Sequence, residues 1–146
     1  MIKIRVMHTG KVHVSPALPF KDREKNPNPI QLTSLTPYGR KNRIWIPVSA
    51  YLIDHPRAKI LVDTGWHREI SPERKYNRRA QIKHMGLGHF LLNQGFLPAG
   101  ESVTEQLESI GIKPEDLDFV ILTHLHTDHA SGIRQLKNAK KFILND

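Results

Sequence analysis

The chain opens on an alternation. Ile2, Ile4 and Val6 are interleaved with Lys3, Arg5 and Met7, the period of a half-buried strand, and Val12 and Val14 continue it beyond Gly10. The pattern then breaks. Residues 16–43 hold Pro16, Pro19, Pro27, Pro29 and Pro37 among many polar groups, which predicts a long irregular loop of the kind that lines a site. Residues 44–53, Ile-Trp-Ile-Pro-Val-Ser-Ala-Tyr-Leu-Ile, predict a strong strand, with Pro47 demanding an edge position or a bulge. His55-Pro56-Arg57 reads as a turn and Lys59-Ile-Leu-Val-Asp63 as the returning arm of a hairpin, ended by Thr64-Gly65.

The second half changes period. Residues 71–98 read as helical, basic and interrupted by Gly86, Gly88 and Gly95, so residues 66–100 are expected to form a helical basic insertion over the site. Ser102-x-x-Glu105 is a capping box that starts a helix with Val103, Leu107 and Ile110 on one face. Gly111 stands where a helix-ending glycine belongs, and Pro114 follows. Phe119-Val-Ile-Leu122 is a continuous apolar run, as expected of a buried parallel strand. Ile133 and Leu136 suggest a short helix, and Phe142-Ile-Leu144 begins another strand. This order predicts an α/β fold with a mixed sheet, in one domain over residues 1–146.

Composition narrows the function classes. There is no cysteine among the 146 residues, which excludes a disulfide scaffold and a thiolate metal site. No apolar run approaches the ~18 residues of a membrane span. The charged, alternating N-terminus reads as a strand and not as a secretory signal, so the expected location is the cytoplasm, with no membrane partner. The net charge of +8 invites a nucleic-acid reading. The charge sits in three clusters: Lys21, Arg23, Lys25, Arg40, Lys41 and Arg43; Arg68, Arg74, Lys75, Arg78, Arg79 and Lys83; Arg134, Lys137, Lys140 and Lys141. In the second, Arg74 and Arg78, like Lys75 and Arg79, are four apart, the spacing of a solvated helix face. Only Tyr38 and Tyr76 fall within the spans of these clusters, too few for a stacking platform, which disfavours nucleic acid.

The chemistry concentrates after the apolar run, in Thr123-His124-Leu125-His126-Thr127-Asp128-His129. In an extended loop, residues two apart project to the same side, so His124 and His126 can reach one cation. Asp128 and His129 can turn toward a second. Imidazole and carboxylate without thiolate suit a borderline divalent ion such as zinc, with iron or manganese as alternatives. Open α/β sheets place their sites at the carboxyl ends of strands, as here. His8, His13 and His55 have strand or turn contexts that read as structural or solvated.

The run from Ile112 to Gly132, with Leu61-Val-Asp-Thr-Gly65 upstream, resembles the metallo-β-lactamase superfamily, and within it the N-acyl homoserine lactonase branch. The resemblance implies the N-terminal half of an αβ/βα sandwich and a two-metal hydrolase. His124 and His126 would hold the first zinc; Asp128 and His129 would hold the second. A hydroxide bridging the two ions would attack a lactone carbonyl, and Asp128 would take a catalytic part by orienting the nucleophile or moving a proton. Asp63 would hold a ligand histidine in its tautomer, or would be a plain turn aspartate. The family completes its site with a histidine, a bridging aspartate and a further histidine downstream. Only 17 residues follow His129 here, none of them a histidine, so an exposed sheet face and a free edge strand are expected. Trp66, His67 and Phe90 are candidates for a substrate pocket, with core packing as the alternative for the large apolar ones. A small lactone or ester is the expected substrate, and a homodimer is left open. Phosphodiester or thioester hydrolysis, and an inactive fragment with an incomplete metal site, are the competing readings.

Overall fold

The computed structural model describes residues 1–20 and 27–144. Part of the proline-rich loop and the basic residues Lys21, Arg23 and Lys25 lie outside the described residues. One six-stranded sheet organises the molecule. Its strands are β1 (Lys3–Val14), β2 (Ile44–His55), β3 (Ala58–Val62), β4 (Asn93–Phe96), β5 (Phe119–Leu122) and β6 (Phe142–Leu144), in the order β4-β1-β2-β3-β5-β6. The pairs among β4, β1, β2 and β3 are antiparallel, and β3-β5 and β5-β6 are parallel. The mixed sheet expected of the sequence is therefore present.

The helices are α1 (Pro37–Lys41), α2 (Arg78–Met85), α3 (Leu87–Leu92), α4 (Val103–Ser109) and α5 (Thr127–Ala130). Pro47 sits where the sequence demanded. It pairs with Lys11 of β1, while β3 reaches only Tyr51–His55, so nothing in the sheet needs an N–H from Pro47 on its other side. The register slips by one residue between His8 and Lys11. Gly10 absorbs this bulge at φ 84°, a left-handed conformation in which a Cβ would run into the Phe96 carbonyl. Arg43 then ties the far end of the sheet together, donating to the carbonyls of His13 (2.6 Å) and Leu92 (2.7 Å).

α4 is built as its sequence predicts. Ser102 caps it and Glu105 reaches back to the Ser102 N–H. Its end is a full Schellman motif: the Gly111 N–H bonds to the Glu108 carbonyl and the Ile112 N–H to that of Leu107. Val103 and Leu107 bury against Met7, Ala50, Leu52, Leu61 and Val120, which forms the main core. A second cluster gathers Val12, Val48, Trp66, Ile70, Phe90 and Leu97.

Three expectations need correction. First, residues 93–96 are not helical. They form β4, pairing with Lys11–Val14 at the sheet edge. Gly95 is required there because Trp66 and Ile70 occupy the space a Cβ would take. The buried Gln81 of α2 closes the edge, donating to the Gly95 carbonyl (2.8 Å) and accepting its N–H (3.0 Å). Second, Arg74 and Lys75 do not share a helix face with Arg78 and Arg79. Asn77 caps α2 by accepting the Ala80 N–H, so the helix starts only at Arg78. Third, β1 is a strand, but its alternation does not bury Ile4 and Val6, which are 67% and 52% exposed. The helices cover the other face. The face bearing Ile4, Val6 and Tyr51 has no layer over it among the described residues, as the half-sandwich expectation requires.

Candidate metal centre

The histidine-rich motif begins one residue beyond β5. β5 is parallel to β3, with Val62 opposite Ile121, so the chain leaving β3 and the chain leaving β5 emerge side by side. That register delivers Asp63 to the motif. Asp63 is buried and takes a left-handed turn at φ 61°, which aspartate adopts more readily than most residues. Its Oδ1 accepts the Thr123 N–H at 2.9 Å, and the Thr123 hydroxyl lies 2.9 Å from both carboxylate oxygens. Its Oδ2 is 2.9 Å from Nδ1 of His129.

These bonds fix tautomers. A carboxylate only accepts, so His129 Nδ1 donates to Asp63, and in the neutral ring Nε2 is then the ligand atom. The Thr123 hydroxyl has one proton and gives it to Asp63. It therefore accepts from Nδ1 of His124 at 3.0 Å, leaving Nε2 of His124 free as well. The His129 backbone is held independently, its carbonyl accepting from Thr64 N (2.8 Å) and Thr64 Oγ1 (2.9 Å). His126 occupies the N-cap position of α5, and Asp128 and His129 lie within that helix.

The side chains then converge. The His124 ring centroid is 4.7 Å from that of His126 and 4.1 Å from that of His129. Asp128 Oδ2 lies 3.6 Å from Nε2 of His129. No three of the four donor residues bring their ligand atoms all within 4.8 Å of one another. Burial lowers the pKa of His124, and the neighbouring imidazoles of His129 and His126 lower it further against the pull of Asp128 and Asp63. A neutral imidazole is the form that binds metal. The donors are nitrogen and oxygen only, and Asp63 gives His129 the outer partner typical of a ligating histidine, so these residues fit a divalent metal.

Residues 43–144 match the metallo-beta-lactamase superfamily. The chain belongs to this superfamily. Over 117 residues it is 35% identical to the N-acyl homoserine lactonase AiiB of Agrobacterium fabrum, covering 79% of this chain and 39% of that protein. Over 114 residues it is 35% identical to an N-acyl homoserine lactonase of Bacillus cereus, covering 76% of this chain and 40% of that protein. The chain thus spans about two fifths of the length of these relatives. Its fold is similar to that of an N-acyl homoserine lactone hydrolase solved with N-hexanoyl-L-homoserine at its catalytic metal center (TM-score 0.65, 22% identity, 94% of this chain and 46% of that chain). It is also similar to the dizinc quorum-quenching lactonase AidC (TM-score 0.51, 19% identity, 94% and 40%).

A cleft opens beside the motif. His124, His126, Asp128, His129 and Asp63 share this cleft with Val12, Val14, Leu18, Pro19, Ile46, Val48, Tyr51 and Asn93. Trp66 and Phe90, candidates for its wall, are instead buried in the second core cluster. The reason is the edge strand: Gly95 lets the Trp66 ring pack directly beneath β4. His67 also lies outside the cleft, against Glu69 and His84. The apolar wall that sequence reasoning missed comes from strand positions whose alternation was visible, and from Leu18-Pro19 just beyond β1.

Proposed function

We propose that this chain carries the metal-binding half of a hydrolase that opens the lactone ring of N-acyl homoserine lactone-like substrates, with two zinc ions as its metal. One observation carries the reading: the Asp63–His129–Thr123–His124 network engages Nδ1 of two imidazoles that line one cleft with His126 and Asp128. Membership of the superfamily and the named lactonases among its relatives support the substrate class. His124 and His126 would hold one ion, and Asp128 and His129 the other. When bound, such ions supply an acidified water and polarise the lactone carbonyl.

The chain's own residues supply orientation and proton handling. Asp63 fixes the ring of His129 and, through Thr123, that of His124. Asp128, whose Oδ2 lies 3.6 Å from His129 Nε2, would hold a proton for the departing alkoxide oxygen. Leu18 and Ile46, more accessible than the cleft's buried valines, would offer surface for an acyl chain.

The test is pH-stat hydrolysis of N-hexanoyl homoserine lactone by the protein expressed from its complete reading frame. Turnover is expected with zinc. It should vanish with chelator, return on adding zinc, and fall by at least ~100-fold in His126→Ala. A zinc-loaded, folded protein that turns over phosphodiesters or thioesters and no lactone would overturn the reading.

A further inference from the structure

A second set of metal donors stands outside the cleft. His67 caps the 3-10 turn Arg68–Ile70, Glu69 lies in that turn, and His84 lies in the last turn of α2. One donor atom from each falls within 4.8 Å of the other two. Nδ1 of His84 is 3.5 Å and Nδ1 of His67 is 4.0 Å from Oε2 of Glu69. The two imidazoles stack with centroids 4.7 Å apart and planes at 27°. Their side chains are only 14% and 9% exposed, whereas that of Glu69 is 75% exposed. Two packed rings therefore form a wall, and the carboxylate is an exposed arm on the solvent side.

The protonation states suit a cation. Both imidazoles are held below their ordinary pKa, chiefly by burial and also by the nearby guanidinium of Arg134. Glu69 pulls the other way on each ring without reversing the shift. Neutral rings keep a lone pair for a metal. Two features oppose binding. Nδ1 of His67 already accepts the Glu69 N–H at 3.1 Å, and Arg134 and Lys83 sit on the rim with like charge.

We propose that His67, Glu69 and His84 bind one further divalent cation of the borderline class, of which zinc is the probe, separately from the histidine-rich motif. Two imidazoles and one carboxylate are a recurrent zinc donor set, and there is no soft ligand to favour a monovalent ion. The ion would join the segment that follows the Asp63 turn to α2, and so would stabilise the folded chain without touching the reacting atoms.

The experiment is calorimetric titration of the chelator-stripped chain with zinc chloride, with metal counted per chain after desalting. It is run on wild type and on a variant in which His124, His126 and His129 are all replaced by alanine. The motif-free variant is expected to keep one zinc per chain. Adding His84→Gln should weaken that binding by at least ~10-fold, and Arg134→Gln should tighten it severalfold. Copper(II) in the motif-free variant should show nitrogen hyperfine coupling in its electron paramagnetic resonance spectrum. If the motif-free variant does not fold, the same comparison is made in wild type, where His84→Gln should lower the stoichiometry by one. Zinc binding that is unchanged by His67→Gln and His84→Gln, or a folded motif-free chain that binds none, would overturn the proposal.

Discussion

At the scale of single residues, Asp63 does more than end a strand. One buried carboxylate accepts from Thr123 and from His129, and through Thr123 it sets His124. Asp63→Asn keeps the left-handed turn but offers an amide where His129 Nδ1 must donate. Metal affinity is expected to fall by ~10- to 100-fold, measured by competition with a chromophoric chelator, with little change in circular dichroism. Asp63→Val adds strain to the same loss, because a β-branched side chain tolerates positive φ poorly. Asp63 was legible only through the family resemblance, with a plain turn aspartate as the alternative; its carboxylate lies 2.9 Å from Nδ1 of His129. Thr123 was not. Its role depends on the parallel register of β3 and β5, and nothing in a linear pattern reports which residues two parallel strands bring level. Trp66 shows the converse: a large aromatic next to the Asp-Thr-Gly turn reads as pocket or core, and only the glycine opposite it decides.

At the scale of elements, local rules worked wherever local hydrogen bonds build the element. The capping box, the helix-ending glycine and the hairpin were readable because each is satisfied within a few residues. Ser102→Ala should cost ~1 kcal/mol in urea unfolding, because the Glu105 N–H loses its acceptor. Glu105 itself answers to more partners. Burial pushes its pKa up, but the bonds from Ser102 and Arg68 outweigh this and hold it below the ordinary carboxylate value. β4 failed for the opposite reason. Four residues, one of them glycine, carry almost no strand signal, and their pairing with β1 and the bracket from Gln81 come from remote sequence. Gln81→Leu should therefore destabilise the chain by roughly 2 kcal/mol or more, since it leaves a buried N–H and a buried carbonyl of Gly95 without partners. Equilibrium unfolding measures this, and a change under ~0.5 kcal/mol would mean that β4 finds other partners.

At the scale of the whole molecule, the described residues cover the sheet on one side only. The face with Ile4, Val6 and Tyr51 is an apolar surface larger than single scattered residues would make. The chain should bind a hydrophobic fluorophore such as anilinonaphthalene sulfonate. Ile4→Lys with Val6→Lys should lower that signal, with a stability change of no more than about 1 kcal/mol. The histidines add a pH dependence. His13, His67, His84 and His124 all have lowered pKa values, chiefly through burial. The unfolded chain therefore binds more protons once pH drops below ~6.5, and stability must fall with pH from there. Thermal midpoints of the chelator-stripped chain should be lower at pH 5.5 than at pH 7.5; equal midpoints would contradict the burial of these rings. The pairing of β3 with β5 has a kinetic corollary. β2 and β3 meet across a two-residue turn, but Asp63 and His129 are 66 residues apart and meet only when β5 docks. Closing so long a loop is slow and belongs late in folding. An ion gripped by residues that assemble last would leave the rate of folding almost unchanged and would act on the rate of escape, so that metal lengthens the lifetime of the native state.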